Sequence, residues 1–345
     1  MMTGARRPLL FALVLAMACT SAPQRAGSSV PSILPLTSMA QGIPLPGVMF
    51  GVRAKPRWDQ NQQQAITALE EIVGRRFDAD RIYKRWDHVF PIRYAEWTRD
   101  LGRTVFLSVR ARTTHGTIIT WKSIADADVG SPLHKDMVRW GNALKTFGKP
   151  IYVTFHHEPD GINSRGNGTP GDFIRAWRRF HRVVQRQGAT NVIWLWTLTA
   201  ATFGIDGYRS PDHWYPGDAY VNHIGADGYN WFGCRTGVLG GQWRSFREIF
   251  DPVRRWAMAH PGKKIFAPEW GSQEDPAAAD RKSEWIADAM LTLQEPEWGA
   301  WGGMLYFHAE DPHPQNAYPC AWWVDSSLSS LRAFKAMAAA TITGQ

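Results

Sequence analysis

Cysteine is scarce: three in 345 residues, which excludes a miniature disulfide scaffold and a multi-cysteine metal cluster. Charge is thin as well. Charged residues make up 20% of the chain against 44% hydrophobic, which excludes disorder driven by low hydrophobicity and self-repulsion. The net charge of +8 favours acidic partners, but over this length it is too diluted to outline a nucleic-acid groove. Arg175, Arg178, Arg179, Arg182 and Arg186 do cluster, on a helical segment where a solvated outer face accounts for them. No apolar run beyond the N-terminus approaches the roughly 20 residues of a membrane span. No G-x-G-x-x-G follows the first apolar run, Gly47–Val52, and no P-loop, H-E-x-x-H helix or paired C-x-x-C spacing occurs. Neither a metal nor a cofactor is expected. What is abundant is tryptophan, with 18 copies. Indole is a costly core filler, so the excess predicts flat aromatic platforms at a binding surface.

Residues 1–18 read as an export signal: Arg6 and Arg7 start it, Leu9 to Met17 form an apolar stretch too short to span a bilayer, and small residues follow. Ala16-Met17-Ala18-Cys19 resembles the lipobox of bacterial lipoproteins, with Ala16 where Leu is usual; lipidation at Cys19 and ordinary cleavage near Ala18 are the two outcomes. Residues 19–46 are Ser/Pro-rich and suit a flexible tether. The expected product is a secreted or envelope-anchored bacterial protein. In an exported chain the remaining pair, Cys234 and Cys320, predicts a disulfide, with two free buried thiols as the alternative.

Residues 47–345 alternate β-rich runs with amphipathic helical stretches. Strands are predicted at Gly47–Val52, Arg81–Trp86, Thr104–Val109, Pro150–Phe155, Asn191–Trp196, Val221–Gly225, Lys264–Ala267 and Gly302–Phe307. Helices are predicted at Asn61–Gly74, Arg93–Leu101, Lys135–Phe147, from Thr169-Pro170 to Gly188, and at Ser245–Ala259, Arg281–Leu293 and Ser327–Ala340. Strand–helix units in this number, over about 300 residues, predict a single (β/α)8 barrel of the TIM type, expected to act as a monomer. A doubly wound open sheet would prefer fewer strands and a Gly-rich first turn.

In such a barrel, reactive groups sit at the C-terminal strand ends. The fourth strand runs into His156-His157-Glu158-Pro159-Asp160, the seventh into Pro268-Glu269-Trp270, the sixth into Asp227-Gly228-Tyr229-Asn230-Trp231, and the eighth into His308. Glu158 and Glu269 would face each other across the barrel mouth. Two carboxyls about 5–5.5 Å apart suit displacement at an anomeric carbon with retention, whereas roughly 6.5–9.5 Å leaves room for water and suits inversion.

The segments YVTFHHEPDG, HIGADGYNW and FAPEWGS, in that order, resemble the retaining glycoside hydrolases of clan A, most closely family 26, the β-mannanase family. The resemblance covers essentially Gly47 to Ala340, and His157 stands where family 26 has His before its acid/base. It implies Glu158 as general acid/base and Glu269 as nucleophile. It also implies that Tyr229 steadies the nucleophile and that His157 orients the acid or contacts sugar. Trp231, Trp270 and Trp196 are candidate stacking faces for pyranose rings; of Trp194 and Trp196, one is expected to face the helices. Asn230, His156 and His308 are candidates for sugar hydroxyls. One departure matters. The mannanases follow the acid/base with a polar and aromatic segment that helps hold the sugar, whereas here Pro159-Asp160-Gly161 and the Gly/Asn-rich Asn163–Gly168 follow. The chemistry implied is internal cleavage of a β-linked polysaccharide by double displacement, with the sugar left open. The alternatives are a glycanase acting on a different polysaccharide, a degenerate barrel that binds glycan without turnover, and a metal-dependent hydrolase built on His156, His157, Glu158, His308 and His313.

Overall fold

The computed structural model describes residues 44–45, 47–311 and 319–341; the expected signal, the tether, Cys19 and His313 lie outside them. Eight parallel strands, β1 (Met49–Ala54), β2 (Ala79–Arg85), β3 (Thr104–Arg110), β4 (Ile151–Phe155), β5 (Val192–Thr199), β6 (His223–Asn230), β7 (Ile265–Ser272) and β8 (Trp301–His308), close into a barrel in chain order. The shell comprises α1 (Gln62–Val73), α2 (Arg93–Asp100), α3 (Pro132–Phe147), α4 (Pro170–Arg186), α5 (Phe246–Ala257), α6 (Arg281–Leu293) and α7 (Leu328–Ala340). The expected barrel is the observed fold. Between β5 and β6 the described residues form short 3-10 turns instead of a helix, because Gly204, Gly207, Pro211, Pro216 and Gly217 interrupt any helical run.

Local chemistry sets the helix starts. Asn61 with Gln64, Thr169 with Asp172, and Ser245 with Glu248 each close a reciprocal capping box, and Pro170 occupies the first turn of α4. The arginines of α4 are tied locally: Arg175 to Asp126 and Asp172, Arg178 and Arg179 to loop carbonyls.

Two strands run longer than their apolar cores. β6 continues to Asn230 and β7 to Ser272, so Asp227, Tyr229 and Glu269 lie within strands. Their polar side chains break the apolar pattern because these positions project into the barrel mouth. At the opposite end, the interior is dry: Phe106, Leu195, Phe266 and Leu305 pack with Ala79, and Tyr152 stacks on Phe106 at 4.2 Å. A methyl group on Gly51 would come within 2.7 Å of Leu305 Cγ, so this layer has no room for a side chain there.

The reading of tryptophan as surface platform is corrected. Eleven of the eighteen indoles are buried, mostly between strands and helices, and several donate their N–H to carbonyls: Trp140 to Trp86, Trp177 to Tyr220, Trp285 to Arg244. A large ring is a good spacer between barrel and shell, although among the described residues Trp194, Trp196, Trp270, Trp298, Trp301 and Trp322 bury their N–H without a hydrogen-bond partner.

Cys234 and Cys320 form a disulfide, their Cα atoms 5.2 Å apart. It fastens the loop after β6 to the short strand Cys320–Ala321, which pairs antiparallel with Glu310–Asp311 beyond β8. Closing a loop over a separation of 86 residues stabilises by about 4–5 kcal/mol in the chain-entropy model. No described helix is long and apolar enough to cross a membrane.

Candidate active site

A cavity of about 490 Å³ opens at the C-terminal ends of the strands. Glu269 stands on one wall, on β7, level with Asp227 of β6. It is 7% exposed and accepts two hydrogen bonds, from the Tyr83 hydroxyl to Oε1 at 2.6 Å and from the Tyr229 hydroxyl to Oε2 at 2.7 Å. Arg81, fully buried inside the barrel, places Nη2 3.8 Å from Oε1. Each donor favours a charged carboxylate.

Glu158 lines the same cavity, just past β4, and its surroundings act the other way. Burial first, then the charges of Glu269 and Asp160, push its pKa up to about 8, against the smaller opposing pull of Arg110 and Arg81. The carboxyl is therefore protonated at neutrality. Its backbone is held in the left-handed region at φ 50°, as is that of His156. This conformation is costly for residues with a side chain, and neighbours enforce it. The Glu158 N–H donates to the Thr197 carbonyl at 3.1 Å, and its carbonyl accepts from the Gly161 N–H at 3.0 Å and the Ser164 hydroxyl at 2.7 Å. Asp160 locks the same turn onto β5 by accepting from the Thr199 N–H at 3.1 Å and the Thr202 hydroxyl at 2.5 Å.

Five expected residues meet here: Glu158, Glu269, His157, Tyr229 and Trp231 all line the cavity. His157 shares a 2.5 Å hydrogen bond through Nδ1 with Ser108 on β3. Burial, with Arg81 and Arg110 nearby, drives its pKa well below the usual imidazole value, so it is neutral. Trp231 carries the Arg235 guanidinium over one face, 4.1 Å from the ring centre.

The other candidates are placed elsewhere, and their expected sugar contacts are corrected. His156 is fully buried and accepts at Nδ1 from the Ala111 N–H and the Trp121 indole, with Nε2 on Ser164. It braces the strained turn. Asn230 is spent on Ser272 and the Arg244 N–H. His308 accepts from the Val324 N–H and packs against Trp323. Trp270, one residue from Glu269, points to the opposite face of β7 and stacks on Trp285. Trp196 packs on Phe203 and Trp256, and Trp194 on Trp177. Residues two apart on a strand share a face, so both indoles of β5 lie on the helix side.

Sequence reasoning passed over Tyr83, Arg81, Asp227, Phe307 and Trp322. Arg81 and Tyr83 alternate on β2 with the buried, apolar Ile82, and Asp227 shares a face with Tyr229; in a closed barrel that period-two pattern of polar residues marks inward positions. Trp322 follows a loop with no readable pattern. Asp227 is the odd member: 3% exposed, lining the cavity, with neither carboxylate oxygen hydrogen-bonded. Burial and the Glu269 charge raise its pKa well above the usual carboxylate range despite Arg81.

Comparisons with known proteins agree with this geometry. The family model described as glycosyl hydrolase family 26 matches residues 133–267, a span that holds Glu158 and stops just short of Glu269. The chain is 27% identical over 290 residues to Endoglucanase H of Acetivibrio thermocellus, covering 80% of this chain but only 29% of that protein. Among solved structures, a GH26 β-mannanase from Bacteroides ovatus superposes with a TM-score of 0.57 at 15% identity, covering 88% of this chain and 90% of that one. A modular endo-β-1,4-mannanase from Cellulomonas fimi superposes with a TM-score of 0.56 at 16% identity, covering 90% and 74%. The chain is thus similar to family 26, and the solved structures share its barrel fold.

Proposed function

We propose that this family 26-like glycoside hydrolase cleaves a β-linked polysaccharide internally and with retention, using Glu158 as acid/base and Glu269 as nucleophile. The observation that carries the proposal is the opposite treatment of two carboxyls in one cavity. Glu269 is cradled by two tyrosine hydroxyls and faces a buried arginine, while Glu158 is desolvated beside other carboxylates. A desolvated carboxyl kept protonated suits the acid, and one held by two hydroxyl donors suits the nucleophile.

In the first step Glu158 gives its proton to the glycosidic oxygen as a Glu269 oxygen attacks the anomeric carbon and the C–O bond breaks. The product is a glycosyl ester on Glu269 plus the released chain end. Forming that ester removes the Glu269 charge, which lowers the cost of ionising Glu158; Glu158 then takes a proton from the water that displaces the ester. Asp227, with neither carboxyl oxygen hydrogen-bonded and its pKa raised by burial and the Glu269 charge, lines the cavity where it can meet a sugar hydroxyl beside the reacting carbon. Internal cleavage is supported by a groove that continues from the cavity past Ile162 and Leu239 into a second depression lined by Thr236 and Val238. β-Mannan and β-glucan backbones are the first substrates to try, given the names of the similar proteins. Export, with attachment through a lipidated Cys19, completes the proposal and rests on the N-terminal sequence alone.

The test is Glu269→Ala. It should abolish turnover, and added azide should restore it with product of inverted configuration. Normal rates in Glu269→Ala would remove the nucleophile assignment.

A further inference from the structure

The groove beyond the catalytic cavity carries cations that the protein does not neutralise. Arg235 lies on the shared wall of the cavity and the second depression, and Arg165 lines that depression from the opposite loop. Arg110, beside Glu158, spends one N–H on the Asn163 carbonyl and leaves its buried Nε without an acceptor. Among the described residues neither Arg165 nor Arg235 is ion-paired with a carboxylate, and the segments outside them contain no Asp or Glu at all. By contrast, Lys55 on the far side of the cavity faces Glu310 at 3.6 Å. The positive charge is therefore concentrated on one arm of the groove.

Arg235 is also held in place. Its guanidinium carbon sits 4.1 Å from the centre of the Trp231 ring, and the residue before it is Cys234, bonded to Cys320. A cation–π contact with an indole restrains a guanidinium and leaves N–H groups for an oxyanion, which a guanidinium can engage through two parallel hydrogen bonds. A groove meant only for neutral sugar would gain little from an immobilised, unpaired cation.

We propose that the substrate is an anionic β-glycan, bearing carboxylate or sulfate groups that Arg235 and Arg165 engage one or two sugars from the cleaved bond. This inference rests on the glycoside hydrolase reading and narrows its substrate class.

The experiment compares kcat/KM on neutral β-mannan and β-glucan with carboxymethylated and sulfated derivatives of the same polymers, at low and high salt. The anionic polymers should be preferred by about tenfold, the scale of two solvent-facing charge pairs, with the preference falling as salt rises. Arg165→Gln with Arg235→Gln should bring the anionic-to-neutral ratio near one and remove its salt dependence. Arg165→Gln alone, at an exposed position, should remove part of the ratio and keeps the test open if the double variant folds poorly. Whichever derivative is faster identifies the anion. Neutral polymers cleaved as well as anionic ones, or a ratio unmoved by the variants, would overturn the inference and leave the enzyme reading standing. Turnover of none of the polymers would contradict both.

Discussion

The two ends of the barrel are built on opposite rules. The N-terminal end is filled by Phe106, Leu195, Phe266 and Leu305, with Tyr152 packed on Phe106 and nothing ionisable among the fully buried members. The C-terminal end gathers Arg81, Tyr83, Glu158, Asp227, Tyr229 and Glu269, and leaves Arg81 and Asp227 without hydrogen bonds although both are buried. Unsatisfied buried polar groups cost roughly 1–3 kcal/mol each, more when charged. One end lowers the free energy of the fold through apolar packing, and the other holds buried polar groups at a cost, offset for Arg81 in part by the Glu269 carboxylate 3.8 Å away.

That contrast can be broken or sharpened by substitution. Glu269→Ala has the largest expected effect on turnover, a loss of roughly 10^4–10^6-fold in kcat. Phe266→Ala should do the reverse, costing about 3–5 kcal/mol in denaturant titrations while kcat/KM of the folded enzyme stays within about twofold. If Phe266→Ala damaged kcat as much as stability, the two ends would not be separable. Tyr83→Phe removes one of the two donors to Glu269; a hydrogen bond to a charged group is worth about 1.5–3 kcal/mol, so kcat should fall about tenfold to a hundredfold. The smallest effect is on pH dependence. Glu158 must be protonated to act first, and its raised pKa means the active form predominates at neutral pH and is lost as pH rises through about 8. kcat/KM should show an alkaline limb there. Glu158→Gln, which cannot ionise, should lack that limb on aryl glycosides with good leaving groups and lose far more activity on poor ones. Equal losses on both substrates would remove Glu158 from the acid role.

The barrel was legible because its strands are apolar and its helices carry readable caps, as at Asn61, Thr169 and Ser245. The two glutamates and Tyr229 were legible because order and strand placement restrict them to one rim. Reading failed in two ways. Beginning from the chemistry expected of a His or Trp took His156, Trp196 and Trp270 for ligand-facing groups, whereas strand alternation and a backbone with positive φ turn them into the shell. Tyr83 and Arg81 were missed although a strand was predicted from Arg81 to Trp86, because only closure of the barrel shows which of its alternate residues turn inward. Trp322 had no local signal; it reaches the cavity on the stretch that the disulfide fastens.

The central claim is that Glu269 becomes covalently bonded to the sugar while Glu158 does not. Incubation with a 2-deoxy-2-fluoro glycoside matched to a sugar the enzyme cleaves, followed by peptide mass spectrometry, tests it directly. The account predicts a single adduct on Glu269; an adduct on Glu158, or turnover of that glycoside with inversion and no adduct, would contradict it.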